Sequence, residues 1–204
     1  MKKIVCLFAS MLAIGALMTS CCGECSTGAV ASSEEAVINN IMTRSSVRSY
    51  TSQAVEAEKI EVLLKAGMAA PTGSNKQPWE FVVITDTAIL NQLPYVAGGM
   101  RMAAGAPLAI AVLGDERVSG SWILDCSAAT ENILLAAHAM GLGAVWCGVH
   151  PDNESGRVAK MAKLLNLPGG VKALNAIIIG YPDSEPTVKD KWKPEKVHYN
   201  GYGK

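Results

Sequence analysis

Neither sign of charge is in excess in this 204-residue chain: lysine and arginine together number 18, aspartate and glutamate 18, and the net charge is zero. A surface built to neutralise phosphates is not indicated, so nucleic acid and broad anionic partners are not expected. Cysteine is scarce in the body of the chain. Cys6, Cys21, Cys22 and Cys25 crowd the start, and only Cys126 and Cys147 follow, which is no disulfide framework. His138, His150 and His198 are scattered, with no H-E-x-x-H or similar spacing, so no metal site is expected. No nucleophile elbow is present, and no P-loop. Gly141-Leu142-Gly143 lacks the third glycine of a dinucleotide fingerprint. These absences argue against a serine hydrolase, a zinc enzyme, an NTPase and a Rossmann dehydrogenase. There is no internal repeat and no sign of a second domain.

The first residues read as an export signal. Met1-Lys2-Lys3 is a basic start, Ile4 to Met18 is an apolar run, and Thr19-Ser20 precede Cys21. The run is shorter than the roughly 20 residues a membrane span requires. A charged start, a short apolar core and small residues at the cut define a secretory leader. Ser20-Cys21 is similar to a bacterial lipoprotein cleavage site, with Cys21 as the lipidated residue. The expected organisation is a signal peptide at 1–20, a lipidated cysteine and flexible tether at 21–32, and one domain at 33–204. The expected location is an exported, membrane-anchored lipoprotein, on the periplasmic or outer-membrane face. Cys22-Gly23-Glu24-Cys25 lies in this tether, without the strand–helix context of a redox pair. Ser26-Thr27-Gly28-Ala29-Val30 ends in Val, which has no hydroxyl to carry a covalent flavin.

Periodicity predicts the elements of the domain. Ser32 and Glu35 make a capping box for a helix starting at Ser32 or Ser33, with Val37, Ile38, Ile41 and Met42 on one face. A second helix is expected from about Glu56 to Ala70, with Ile60, Leu63, Leu64 and Met68 as its stripe and Pro71 as its stop. Strands are expected at Phe81–Ile84, Leu108–Leu113, Gly143–Val149 and Ala176–Ile179. The longest helix is expected over Asp125–Met140, apolar on more than one side and therefore central. Another is expected over Ser155–Leu165, and a polar tail from Ser184. Loose alternation of helices and strands indicates an α/β or α+β class.

Two polar clusters carry the chemistry. Arg44-Ser45-Ser46-Val47-Arg48 sets two guanidiniums four residues apart around two hydroxyls, at a helix end. Pro71-Thr72-Gly73-Ser74-Asn75-Lys76-Gln77-Pro78-Trp79 is a turn dense in hydrogen-bonding groups, between a helix and an apolar strand. Taken singly, basic residues at a helix C-terminus complement its dipole, and such turns form for conformational reasons alone. Together they suit a planar polar ring carrying a phosphate, which Arg grips with a fork of donors. In this order the two clusters resemble the nitroreductase family of FMN-dependent oxidoreductases, and the likeness runs from about Glu34 to Tyr202.

The resemblance implies an α+β fold, with a central mixed, mostly antiparallel sheet flanked by helices. It implies that Arg44, Ser45, Ser46 and Arg48 contact FMN, Arg44 at the phosphate or ribityl chain and Arg48 at the pyrimidine side of the ring. A cation there stabilises the anionic reduced flavin. Pro71, Thr72, Ser74, Asn75 and Gln77 match the family's P-[ST]-x-x-N-x-Q-P-W and would bind the ring edge and ribityl hydroxyls, with Trp79 as packing. Asn132 and the run 141–148 are also similar to the family. Val145, Trp146, Cys147 and Gly148 would lie against one flavin face, with a backbone N–H of Cys147 or Gly148 aimed at N5. Several relatives carry an acidic residue at the place of Cys147, which reads here as a small buried hydrophobe. Lys189-Asp190-Lys191-Trp192-Lys193 is similar to the family's closing basic motif. Lys191 takes the place of an Arg at the FMN phosphate, with Lys189 or Lys193 sharing the role. The resemblance implies no catalytic side chain, since solvent can supply the protons, and no metal.

The implied function is reduction of a nitroaromatic, a quinone or a similar electrophile by a ping-pong mechanism, with NADH or NADPH as donor and a homodimer as the assembly. Export places the enzyme away from cytoplasmic NAD(P)H, which leaves a quinol or a partner protein as another donor. The alternatives are a non-redox flavin- or small-ligand-binding lipoprotein, and a specialised flavin oxidase or dehalogenase of the same fold.

Overall fold

The computed structural model describes residues 32–151 and 156–203. The expected signal peptide, the lipidation at Cys21 and the tether cysteines lie outside the described residues. Residues 33–204 make one compact unit. In chain order it runs α1 Ser33–Thr43, α2 Ala57–Met68, β1 Trp79–Ile84, α3 Thr87–Leu90, α4 Leu93–Val96, β2 Leu108–Asp115, α5 Trp122–Ala139, β3 Gly143–Gly148, α6 Arg157–Leu165 and β4 Val171–Gly180. Short 3-10 turns cover Gly73–Asn75, Gly98–Gly105 and Pro194–Lys196.

The four strands form one sheet in the order β1-β2-β4-β3. All three pairings are antiparallel. Among the described residues the parallel component is a bridge between Ser46 and Ala144. β2 shows why helices cover both faces: its side chains alternate and both sets are apolar. Leu108, Ile110 and Val112 pack with Leu63 of α2 and with Trp122 and Ile133 of α5. Ala109, Ala111 and Leu113 pack on the other side with Leu93 and Val96 of α4 and Met161 of α6. Each large side chain buried in this way contributes about 1.5–3 kcal/mol.

Most boundaries lie within about two residues of the periodicity, as helix and strand ends commonly do, and two differ by more. β4 begins at Val171, five residues before Ala176. Polar Lys172 and Asn175 interrupt the apolar pattern there. Lys172 is an ion-pair partner of Glu116 at 2.6 Å, while Asn175 is fully buried and donates to Thr130 Oγ1 at 2.9 Å. α5 begins at Trp122, three residues before Asp125, because Asp125 points inward as a bracket for a neighbouring turn. α1 has no buried residue, and Val37, Ile38, Ile41 and Met42 are each at least half exposed. Its C-terminal end is nevertheless fastened to α5: Asn40 Nδ2 donates to Leu135 O at 3.0 Å, and Thr43 Oγ1 bonds His138 Nε2 at 2.9 Å.

Candidate functional site

The arginine segment is laid beside β3. The Val47 N–H donates to Ala144 O at 3.1 Å. This approach needs a glycine next door, since a Cβ on Gly143 would stand 2.6 Å from Val47 Cγ1. The Tyr50 hydroxyl closes the segment, within 2.6 Å of Val47 O and 2.9 Å of Ile178 O. Burial raises its pKa, so it stays protonated and donating.

The register then decides which backbone groups of β3 are free. In an antiparallel pair, residues alternate between facing the partner strand and facing away. The Ala144 carbonyl faces outward to Val47, while the Val149 N–H faces inward to Leu174 O. By that parity Cys147 spends its N–H on β4, and Trp146 and Gly148 turn theirs to the open edge. The Gly148 carbonyl agrees, accepting from Arg157 Nη1 at 3.5 Å. Of the two N–H groups expected at flavin N5, only that of Gly148 faces out.

A cleft of ≈ 340 Å³ follows this edge. Val145, Trp146, Cys147 and Gly148 form one wall, Ala97, Gly99 and Met100 another, and Arg48 and Arg157 its charged rim. Nothing lies within 4 Å of where a Cβ on Gly148 would stand, so a flat group can come up against the backbone there. This uncovered edge with a cation beside it fits an isoalloxazine ring.

Cys147 is buried behind the edge, its Sγ 3.4 Å from Gly99 O. Burial pushes its thiol up to about 11, with Arg48 pulling weakly downward. Burial, with Asp125 adding to it, pushes Cys126 up to about 12. A pKa raised in the folded state contributes stability below the unfolded value, near 8.5, and loses it as pH rises through about 11. Iodoacetamide at pH 7.5 is therefore expected to spare Cys126 and Cys147 in the native protein and to label both in urea, as read by peptide mass spectrometry. Native labelling of Cys147 at the rate of a free thiol would contradict this.

The Pro71–Trp79 turn is built differently. Ser74, Asn75 and Gln77 adopt φ of 53°, 55° and 48°. Each costs about 1–3 kcal/mol in a residue with a Cβ. The Gln77 N–H bonds Thr72 Oγ1 at 3.2 Å, and Gln77 Nε2 bonds Asn75 Oδ1 at 2.9 Å. The Gly73 N–H donates to Asp125 Oδ1 at 3.0 Å, and Ser119 Oγ donates to Asp125 Oδ2 at 3.2 Å. Asp125, absent from every motif, is thus the bracket that fixes the turn to the first turn of α5, where an acidic group also suits the helix dipole.

The two clusters are not together in one chain. The turn feeds β1 at one edge of the sheet, and the cleft follows β3 at the other. Three strand spacings, about 14 Å, separate those edges, and no turn residue lines the cleft. Arg44 does not line the cleft; its Nε lies 3.4 Å from Glu131 Oε1 on α5. Asn132 Nδ2 donates to Ala66 O at 3.0 Å and braces α5 on α2. Ser45, Ser46, Arg48 and Lys189 do meet, around a second cleft of ≈ 330 Å³. Asp183 and Glu185 share that cleft, so its cations are balanced by carboxylates; Asp183 accepts from the Ser49 hydroxyl. Lys191 is exposed and lines neither cleft. Arg157 belongs to no motif; it opens α6, and only the fold brings it to Gly148.

The nitroreductase family model matches residues 41–100 and 93–181. A protein of Methanothermobacter thermautotrophicus is 39% identical over 165 residues, spanning 79% of this chain and 85% of its own length. It is named "Putative NADH dehydrogenase/NAD(P)H nitroreductase". A crystal structure of a protein so named from Bacteroides thetaiotaomicron is 45% identical, with a TM-score of 0.79 over 82% of this chain and 98% of that one. An FMN-dependent nitroreductase from Clostridium difficile is 32% identical, with a TM-score of 0.77 over 81% and 99% of the two chains. The family model, these relatives and the antiparallel sheet with its flanking helices make the chain a member of the nitroreductase family.

Proposed function

We propose that this protein is an FMN-dependent NAD(P)H oxidoreductase that reduces nitroaromatics, quinones or similar electrophiles. The observation that carries the reading is the open β3 edge at Trp146–Gly148 with Arg48 at its rim. Bound FMN supplies two-electron oxidation–reduction between NAD(P)H and the acceptor. The chain supplies position and charge. The outward N–H of Gly148 donates to the ring edge, and Arg48 holds positive charge beside it. Cys147, protonated and buried, offers neither a base nor a charge, so protons come from solvent. Donor and acceptor use the same face in turn, a ping-pong mechanism. Steady-state rates at several NADPH and quinone concentrations are expected to give parallel double-reciprocal lines; intersecting lines would overturn the shared face.

The reading includes a homodimer. Two observations support it: the apolar face of α1 is uncovered, as are Trp192, Tyr199 and Tyr202 of the tail, and the turn and the cleft stand at opposite edges of one sheet. A second copy covers the first and lets the turn of one subunit reach the cleft of the other. Arg48→Ala and Asn75→Ala chains, each weak in FMN binding alone, are then expected to restore one intact site when mixed and reassembled.

The leader at 1–20 supports an exported lipoprotein anchored through Cys21. Among the described residues no helix is long and apolar enough to cross a membrane. Metabolic labelling with a palmitate analogue is expected to mark the wild type and to miss Cys21→Ala; equal labelling would overturn the anchor.

A further inference from the structure

The cleft along β3 does not end at Arg157. Ala97, Gly99 and Arg157 are shared with a neighbouring cleft of ≈ 400 Å³, which runs past Gly98 to Tyr95, Val96 and Lys160. Tyr95, Val96 and Lys160 are shared in turn with a third, of ≈ 600 Å³, closed by Ile89, Gln92, Lys163 and Leu164. The three are one groove, open from the β3 edge to the far end of α6.

Its chemistry is ordered along its length. Arg157, Lys160 and Lys163 recur every third residue of α6, on one side of the helix. They span about 9 Å along its axis. Opposite them stands Tyr95 of α4, 81% exposed. Ile89, Val96 and Leu164 give the far end an apolar floor, and no Asp or Glu lines the outer two clefts among the described residues. An aromatic ring left in water opposite a row of cations is a poor use of apolar surface unless something planar covers it. The groove suits an elongated ligand with anionic groups in the middle and a flat ring at one end.

We propose that this groove binds the diphosphate–adenosine arm of a nicotinamide dinucleotide. The inference rests on the oxidoreductase reading above, because the arm leads away from the cleft where the nicotinamide must lie. The diphosphate lies beside Arg157 and Lys160, where cations compensate it, and the adenine stacks on Tyr95. Lys163 stands at the distal end.

The test uses the full chain and ADP-ribose, which carries the arm without the nicotinamide. Calorimetry is expected to show binding that weakens about tenfold or more in Lys160→Glu/Lys163→Glu and that weakens also in Tyr95→Ala. Both lysines are exposed on the helix surface, so thermal unfolding should not change. In turnover, the double variant is expected to raise KM for NADPH with little change in kcat, and to leave KM for N-benzyl-1,4-dihydronicotinamide, a donor with no arm, within about twofold. No ADP-ribose binding by the wild type would overturn the groove, as would equal binding by the charge-reversed variant. A groove that fails while NADPH still reduces bound flavin leaves the oxidoreductase reading standing. A protein that binds ADP-ribose but takes up no flavin has the groove and not that function.

Discussion

Gly148→Val is expected to abolish FMN binding without unfolding the protein. A Cβ at Gly148 meets nothing within 4 Å, and an edge strand accommodates a β-branched residue. The fold therefore has no reason to object. The ligand does: two methyl groups would stand where the ring approaches the backbone, and would also screen the outward N–H. The expected loss in FMN affinity is about 100-fold or more, equivalent to about 2.7 kcal/mol. Flavin fluorescence titration reads the affinity, and circular dichroism and thermal melting of the flavin-free protein read the fold. Wild-type affinity in a well-folded Gly148→Val protein would remove the β3 edge from the site.

Asp125→Ala is expected to have the largest effect on stability and to act on the site from a distance. It leaves the Gly73 N–H and the Ser119 hydroxyl without their shared acceptor. Stranded polar groups of this kind cost about 1–3 kcal/mol each. For a domain of this size, each kcal/mol lowers Tm by about 2–4 °C, so the two groups together give an expected fall of about 4–24 °C. The turn has further reason to relax, because three of its residues hold left-handed backbone that the bracket helps to impose. FMN retention should fall with it. Asp125→Asn keeps an acceptor for Gly73 and should recover part of both losses. A Tm within about 1 °C of the wild type would show that Asp125 does not hold the turn.

The legible part of this fold is the part that repeats. β2 reads as an apolar strand, α2 as a stripe ending at Pro71, and α5 as the longest, most apolar helix, because periodicity and breakers act locally. What stayed hidden needed a partner in space. α1 reads as amphipathic, but nothing in the sequence says that its apolar face stays exposed. Arg44 reads as an anion ligand because it stands in a motif with Arg48, and only the fold shows that it also meets Glu131 of α5. The choice between Cys147 and Gly148 as the free N–H could not be made from composition. It follows from which side of β3 takes Val47 and which takes Leu174. Asp125, Arg157 and Tyr95 belong to no motif, and each acquires a role only through a neighbour more than 40 residues away or across a groove.

The central claim is that the β3 edge, Arg48 and the turn make an FMN site that NAD(P)H can reduce. The most direct measurement is an anaerobic absorbance spectrum of the purified protein supplied with FMN, before and after NADH or NADPH is added. A flavin band that stays with the protein through gel filtration and bleaches on addition of the nicotinamide is expected. A protein that retains no flavin, even from an excess of FMN, would contradict it.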